Sequence, residues 1–193
     1  IKPSDIVTSW SGVRPLISEP GKDPSEISRR DEIWTGPGKV LTIAGGKLTA
    51  YRSMAERVVD EAADLHDLSV QKSTTEEQPL VGGDVVVDER NHLIDLYGSE
   101  AKDVLADGGG VSAEVRQAVT REGAICLEDY WVRRVPRAFF DLDGGISVLQ
   151  EAANEMGDLL GWDEAKKKKE IASCEERHNI ENGLFASHGE TNA

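Results

Sequence analysis

Cysteine is scarce in this sequence, and its positions exclude several kinds of site. The two cysteines, Cys126 and Cys174, lie far apart, and neither has a Cys or His partner at the spacing of metal ligands. The four histidines are scattered in the same way. We therefore expect two free thiols in a reducing compartment such as the cytoplasm, and no zinc or iron–sulfur site.

Long apolar runs are also missing. No stretch approaches the roughly 20 residues that a membrane-spanning helix needs, so we predict none. The chain opens with Ile1, Lys2 and Pro3, which resemble neither a signal peptide nor a translation start. This beginning favours a fragment cut from a longer chain.

Basic residues are fewer than acidic ones. The chain has 36 acidic residues against 22 Lys and Arg, a net charge of −14. Such a surface repels phosphate, which argues against nucleic acid or anionic lipid as a partner of the bulk surface. An apolar content of 38% with helical periodicity opposes disorder, the other explanation of high charge. We favour adaptation to high salt, in a halophile, because salt screens self-repulsion.

Stretches rich in glycine, proline and polar residues, which are typical of turns and loops, divide the chain into regions. We predict an α+β fragment in which short strands and one helix occupy residues 1–68 and a mainly α-helical domain occupies 90–180. A linker at 69–89 separates them, and 181–193 form a flexible tail.

The first of these regions has one strong pattern. We predict strands at Ile6–Trp10 and Val40–Ala44, the second ended by Gly45 and Gly46. From Leu48 to Leu65, apolar residues recur every three or four positions with charges opposite, which predicts an amphipathic helix.

Several helices are predicted in the later region. They span Leu93–Leu105, a segment N-capped by Ser112, Glu122–Val135, Ile146–Leu160, and a segment capped by Asp163 that carries Lys166–Lys169 and frays after about Asn179.

The segment Gly45-Gly46-Lys47-Leu48-Thr49 combines features of an anion site. Glycines permit close backbone approach, and a helix N-terminus presents free N–H groups and a positive dipole end. Lys47 adds a full charge, so the segment suits phosphate, carboxylate or a reduced flavin. The spacing fails the Walker A pattern, which opposes a nucleotide triphosphatase. A plain strand–helix turn with a solvent-facing lysine is the alternative.

Two other segments carry arginines. Arg14 lies between Gly12 and Pro15, and a stiff backbone there suits bidentate phosphate binding. From the residues alone, an ion pair with one of the many acids is the favoured explanation. In Leu127–Arg134, two acids precede two arginines by about one turn, which favours ion pairs at a helix end.

Together these segments resemble the FAD-dependent glycerol-3-phosphate dehydrogenases and the related glycerophosphate oxidases. Ser11–Leu16 is similar to that family's Ser-Gly-Val-Arg-Pro-Leu, and Gly45–Arg52 is similar to its Gly-Gly-Lys-Leu-Thr-Thr-Tyr-Arg, with Ala50 replacing one Thr. Leu127–Asp129 with Arg133 and Arg134 resembles the pattern of the family's C-terminal helical domain.

The resemblance implies oxidation of sn-glycerol 3-phosphate to dihydroxyacetone phosphate, with electrons passed to a quinone or another acceptor. It implies that Arg14 and Lys47 bind the substrate and that the flavin is bound by Gly45, Gly46, Lys47, Leu48 and Thr49. It also implies a cytoplasmic enzyme, peripheral on the inner membrane face, with companion subunits or further copies of itself.

The family's Gly-x-Gly-x-x-Gly fingerprint for dinucleotides does not occur in this sequence. We therefore expect that the chain alone neither binds FAD nor is active, and we assign no catalytic residue. Two alternatives stay open: a stand-alone helical interaction module without catalysis, and a regulatory domain that binds phosphate through Arg14 and Lys47.

Overall fold

The computed structural model describes residues 2, 8–13, 17, 21, 30–84 and 92–186. It divides into two units, Gly12–Pro79 and a combination of Ile1–Ser11 with Leu80–Ala193. The first contains a two-stranded sheet and one long helix, and the second is helical, which confirms the predicted α+β class. The predicted boundaries of domains, linker and tail stay predictions.

The first unit contains an antiparallel hairpin. Strand β1 (Asp31–Thr35) pairs with β2 (Leu41–Gly45), with Ile33 opposite Ile43. The turn between them includes a 3-10 turn at Pro37–Lys39. The apolar pattern predicted β2 but not β1, because β1 has only two large apolar residues among acids. Of the predicted strand Ile6–Trp10, residues Thr8–Trp10 are not strand and the others lie outside the described residues.

Helix α1 (Tyr51–Leu65) follows β2 through a 3-10 turn at Leu48–Ala50, which confirms the predicted amphipathic helix. Its Arg57 forms an ion pair with Asp31 at the start of β1. This pair ties the helix to the hairpin within the unit.

The helical unit contains six α-helices in its described residues. They are α2 (His92–Tyr97), α3 (Ala101–Ala106), α4 (Val111–Thr120), α5 (Arg137–Phe140), α6 (Leu149–Leu160) and α7 (Glu164–Ala186), with a π-helix at Asp129–Arg134.

The single helix predicted for Leu93–Leu105 is wrong, since α2 and α3 are separated by a 3-10 turn at Gly98–Glu100. Gly98 has a φ of 55°, and a Cβ on it would lie 1.9 Å from the Gly82 carbonyl oxygen. The Ser99 N–H donates to that same oxygen at 3.1 Å. The close approach of two backbones therefore interrupts the helix.

Two further predictions are wrong. Ser112 is not an N-cap: α4 begins one residue earlier with Gly110 as its cap, and the Ser112 hydroxyl instead donates to Glu151. The helix predicted from Glu122 begins only near Leu127. The Asp129 carboxylate accepts the N–H groups of Ile125 and Cys126, which fixes a turn before the helix.

The last two helices follow the prediction more closely. Helix α6 follows a 3-10 turn at Ile146–Val148, and its inward face is buried. Asp163 caps α7 by accepting the Lys166 N–H at 2.7 Å, as predicted. Helix α7 continues past Asn179 to Ala186. The predicted fraying of the chain end stays a prediction.

The core of this unit is formed where α4, α6 and the π-helix pack together. Its largest fully buried side chains include Trp131, Tyr130, Leu127, Leu149 and Met156. The Trp131 indole N–H donates to the Gly144 carbonyl at 2.8 Å, so the core aromatic also fixes a loop.

Two buried tyrosines offer a matched test of this core. The Tyr130 hydroxyl donates to the buried Glu114 carboxylate at 2.8 Å, whereas the Tyr97 hydroxyl has no hydrogen-bond partner among the described residues. We expect Tyr130→Phe to lower the free energy of unfolding by about 1.5–3 kcal/mol, because a bond to a charged group is lost. Tyr97→Phe should leave it unchanged or raise it. Chemical denaturation of both variants checks this, and equal losses would contradict the assignment.

Candidate functional site: the strand–helix junction

The junction between β2 and α1 places five predicted site residues on one continuous segment. Gly45 ends β2, Lys47 is extended, and the 3-10 turn at Leu48–Ala50 leads directly into α1 at Tyr51. The first N–H groups of a helix have no acceptor within the helix. The junction therefore presents backbone donors at the positive end of the helix dipole.

Glycine is required at both Gly45 and Gly46. Their φ angles are 78° and 83°, a region that other residues rarely adopt. A Cβ on Gly45 would lie 2.4 Å from the Arg30 carbonyl oxygen, and one on Gly46 would lie 2.5 Å from the Met54 methyl group. The tight turn thus depends on the two glycines and brings the chain from the sheet into the helix.

Lys47 contributes a positive charge to this junction. Its side chain is exposed, and its ammonium forms no hydrogen bond or ion pair with any residue that the structure describes. The nearby helix cations differ, since Arg52 pairs with Glu56 at 2.7 Å and Arg57 pairs with Asp31. Among the described residues, no carboxylate therefore competes with an anion for Lys47.

The rest of the segment is open to a ligand as well. Leu48 is 87% exposed although it is apolar, and Thr49 is also exposed. Arg14, the other predicted substrate residue, lies outside the described residues. Its position relative to Lys47 stays a prediction.

The acid–arginine segment of the helical unit has a structural role. Arg133 pairs with Asp129 at 2.9 Å and with Glu128, as the spacing predicted. Arg134 does not join this cluster: its Nε donates to the Glu122 carbonyl at 2.9 Å. These contacts hold the ends of the π-helix.

The cysteines are unsuited to nucleophilic chemistry. Both are free, and burial, followed by the charges of Glu128 and Glu170, raises the pKa of Cys174 to about 12. Burial also raises the pKa of Cys126. Within the described residues, no cluster of three or more His, Cys, Asp and Glu side chains could hold a metal ion, and no helix is long and apolar enough to cross a membrane.

One feature of the structure had no clear sequence signal: a buried carboxylate, Glu114, in the first turn of α4. It accepts hydrogen bonds from Tyr130 and from Arg137, whose NH2 group lies at 2.8 Å. The partners lie 16 and 23 residues further along the chain. Local periodicity cannot connect such positions.

The chain belongs to the family described as the C-terminal domain of alpha-glycerophosphate oxidase, whose sequence model matches residues 41–167. The matched range begins in β2 and includes the strand–helix junction as well as most of the helical unit.

Longer curated proteins resemble the chain. An aerobic glycerol-3-phosphate dehydrogenase of Bacillus subtilis is 34% identical over 88% of this chain and 38% of its own length. A probable mitochondrial glycerol-3-phosphate dehydrogenase of Dictyostelium discoideum is 32% identical over 89% of this chain and 33% of its own length. The chain thus spans little more than a third of such relatives.

A solved structure has the same fold. The glycerol-3-phosphate dehydrogenase of Bacillus halodurans, complexed with FAD, matches with a TM-score of 0.74 and 24% identity over 94% of this chain and 41% of its own. At this identity the likeness establishes the fold of the chain alone.

Proposed function

We propose that this chain is the C-terminal part of an FAD-dependent enzyme that oxidises sn-glycerol 3-phosphate to dihydroxyacetone phosphate. The observation that carries the proposal is the glycine turn at the N-terminus of α1 and, beside it, the exposed Lys47, which has no ion pair within the part of the chain that the structure describes. The naming of the curated relatives and the family match to this range support it.

The residues of the junction fit a flavin. The two left-handed glycines remove side chains from the turn, and the exposed backbone at Leu48 and Thr49 offers N–H donors. When bound, the flavin supplies the acceptor for the hydride of the substrate. Negative charge on the reduced ring is stabilised by donors and a positive dipole end, which is what Gly45–Thr49 present.

The substrate is bound through its phosphate in this proposal. Arg14 holds the phosphate with its planar guanidinium, and Lys47 contributes a second positive charge between phosphate and flavin. In this proposal both groups bind the substrate, and neither removes the hydroxyl proton. That role falls to a residue outside this chain.

We propose a quinone as the final electron acceptor. Quinones are dissolved in the membrane, so the enzyme would be peripheral on the inner face of the cell membrane. Companion subunits or further copies of the protein would provide the contact. Because the bulk surface is acidic and repels anionic lipid, we propose that only a small part of the surface contacts the membrane.

The experiment compares the 193-residue chain with the full-length gene product. We expect bound flavin and glycerol-3-phosphate oxidation in the full-length protein and neither in the chain alone, because this chain carries no dinucleotide fingerprint. Flavin absorbance and activity with a quinone analogue measure both. A full-length protein that lacks flavin and activity would overturn the proposal and favour the interaction module.

A further inference from the structure

Two side chains enclose the turn between β2 and α1. A Cβ on Gly46 would lie 2.5 Å from the methyl group and 2.6 Å from the sulfur of Met54, and 3.2 Å from the Asp31 Cβ. The space beside Gly46 is therefore already filled by the Met54 thioether and by the start of β1. Close contact opposes a movement of Gly46 toward either the helix or the strand.

The first unit itself holds both of these side chains in place. Met54 lies in the first turn of α1 and is partly buried. Asp31 is paired with Gly45 in the register of the hairpin, and its side chain, only 15% exposed, forms the ion pair with Arg57. Because Met54 and Arg57 are three residues apart, they lie on the same face of α1. This face of the helix thus supports the turn directly through Met54 and indirectly through Asp31.

The conformation of Gly46 determines the direction of the backbone donors that follow it. Gly46 directly precedes Lys47, which is extended, and the 3-10 turn at Leu48–Ala50 comes next. A rotation at Gly46 would move the Lys47 backbone and the N–H groups of this turn together. Donors stabilise developing charge most when they are oriented in advance, and a misplacement of about 1 Å can cost on the order of 100-fold in rate.

We infer that Met54 is a positioning residue for the flavin-binding turn and acts through Gly46, with the Asp31–Arg57 pair as a second support. This rests on the proposed function, in which Gly45–Thr49 face the reduced flavin. Met54 itself touches neither flavin nor substrate. It keeps the turn in one conformation before the flavin binds, so that the donors need no reorientation when the ring gains charge.

The test measures the reduction potential of the flavin in the full-length protein with Met54→Ala, Met54→Leu and, as control, Val58→Ala. Val58 is a partly buried residue four positions further along α1, and the nearest neighbours of Gly46 are Met54 and Asp31. We expect Met54→Ala to weaken the stabilisation of reduced over oxidised flavin about tenfold, which lowers the potential of a two-electron couple by about 30 mV. Met54→Leu should restore most of this loss because it conserves volume, and Val58→Ala should match the wild type.

Variants of Arg57 test the second support and decide the inference if Met54→Ala loses its flavin. Arg57→Gln removes the ion pair with Asp31 and should weaken the same stabilisation by about threefold, a smaller effect because Arg57 is 52% exposed. Arg57→Lys keeps the charge and should match the wild type, which separates the support of Asp31 from the effect of a lost positive charge.

An unchanged potential in a Met54→Ala protein that carries flavin would overturn the inference. Equal shifts in Met54→Ala and Val58→Ala would also overturn it, because they indicate a general loss of packing. If Met54→Ala carries no flavin, an unchanged potential in Arg57→Gln would have the same consequence. A wild-type protein that lacks flavin and activity would instead overturn the proposed function, and the inference with it.

Discussion

Glu114→Ala should lower the free energy of unfolding of the helical unit by about 3 kcal/mol, the lower end of the cost of breaking a buried pair. Tyr130 and Arg137 both lose a buried acceptor, but Arg137 keeps its ion pair with Asp141 at 2.9 Å. Glu114 is only 1% exposed, and its Oε2 accepts from Tyr130 at 2.8 Å and from Arg137 at 2.8 and 3.2 Å. Burial, and after it the charge of Glu114, raises the pKa of Tyr130, so the phenol stays a donor at neutral pH.

The matched control is Glu155→Ala. Glu155 pairs with Arg116 at 2.9 Å, but both side chains are partly exposed, and such pairs contribute about 0–1 kcal/mol. Guanidinium denaturation followed by circular dichroism measures both variants. If Glu114→Ala and Glu155→Ala lower the free energy of unfolding equally, burial of the ion pair does not determine its contribution, which would contradict the prediction.

Lys47→Met should lower kcat of the full-length enzyme by about 100-fold or more, which is typical when one preorganised group that stabilises developing charge is removed. Lys47 is exposed and unpaired among the described residues, so its loss breaks no contact of the fold. Methionine keeps the length of the side chain. Steady-state kinetics and flavin absorbance, measured together, distinguish a loss of chemistry from a loss of the cofactor.

Lys72→Met is the control for this variant. Lys72 is an exposed lysine of the same unit that lies outside the junction. Its replacement changes the net charge equally and should leave kcat within about twofold. If both variants reduce kcat to the same extent, the effect is one of overall charge, and the proposed place of Lys47 in the site is wrong.

The parts of the fold that follow from neighbouring residues could be predicted. The apolar run before Gly45, the two glycines and the periodic pattern to Leu65 fixed the strand, the turn and α1, because each depends on residues within a few positions. Asp163 was recognisable as a cap for the same reason. Strand β1 was missed because its stability comes from pairing with β2 and not from its own composition.

The helix breaks could not be predicted from local pattern. Between Leu93 and Leu105 the apolar spacing is helical, yet the approach of Gly82 to Gly98 interrupts it. The segment from Glu122 likewise departs from a regular helix because Asp129 accepts two backbone N–H groups. In both places a specific contact outweighs a propensity of a few tenths of a kcal/mol per residue.

By itself, then, the sequence determined the family, the class of fold and the glycine–lysine junction, because each depends on residues that are neighbours in the sequence. Only the tertiary structure decided that Glu114 is buried against Arg137 and that Trp10 rests on Phe139. These pairs are distant in sequence, and the energy of a buried charge or an aromatic contact exists only once folding has brought the partners together and removed water from between them.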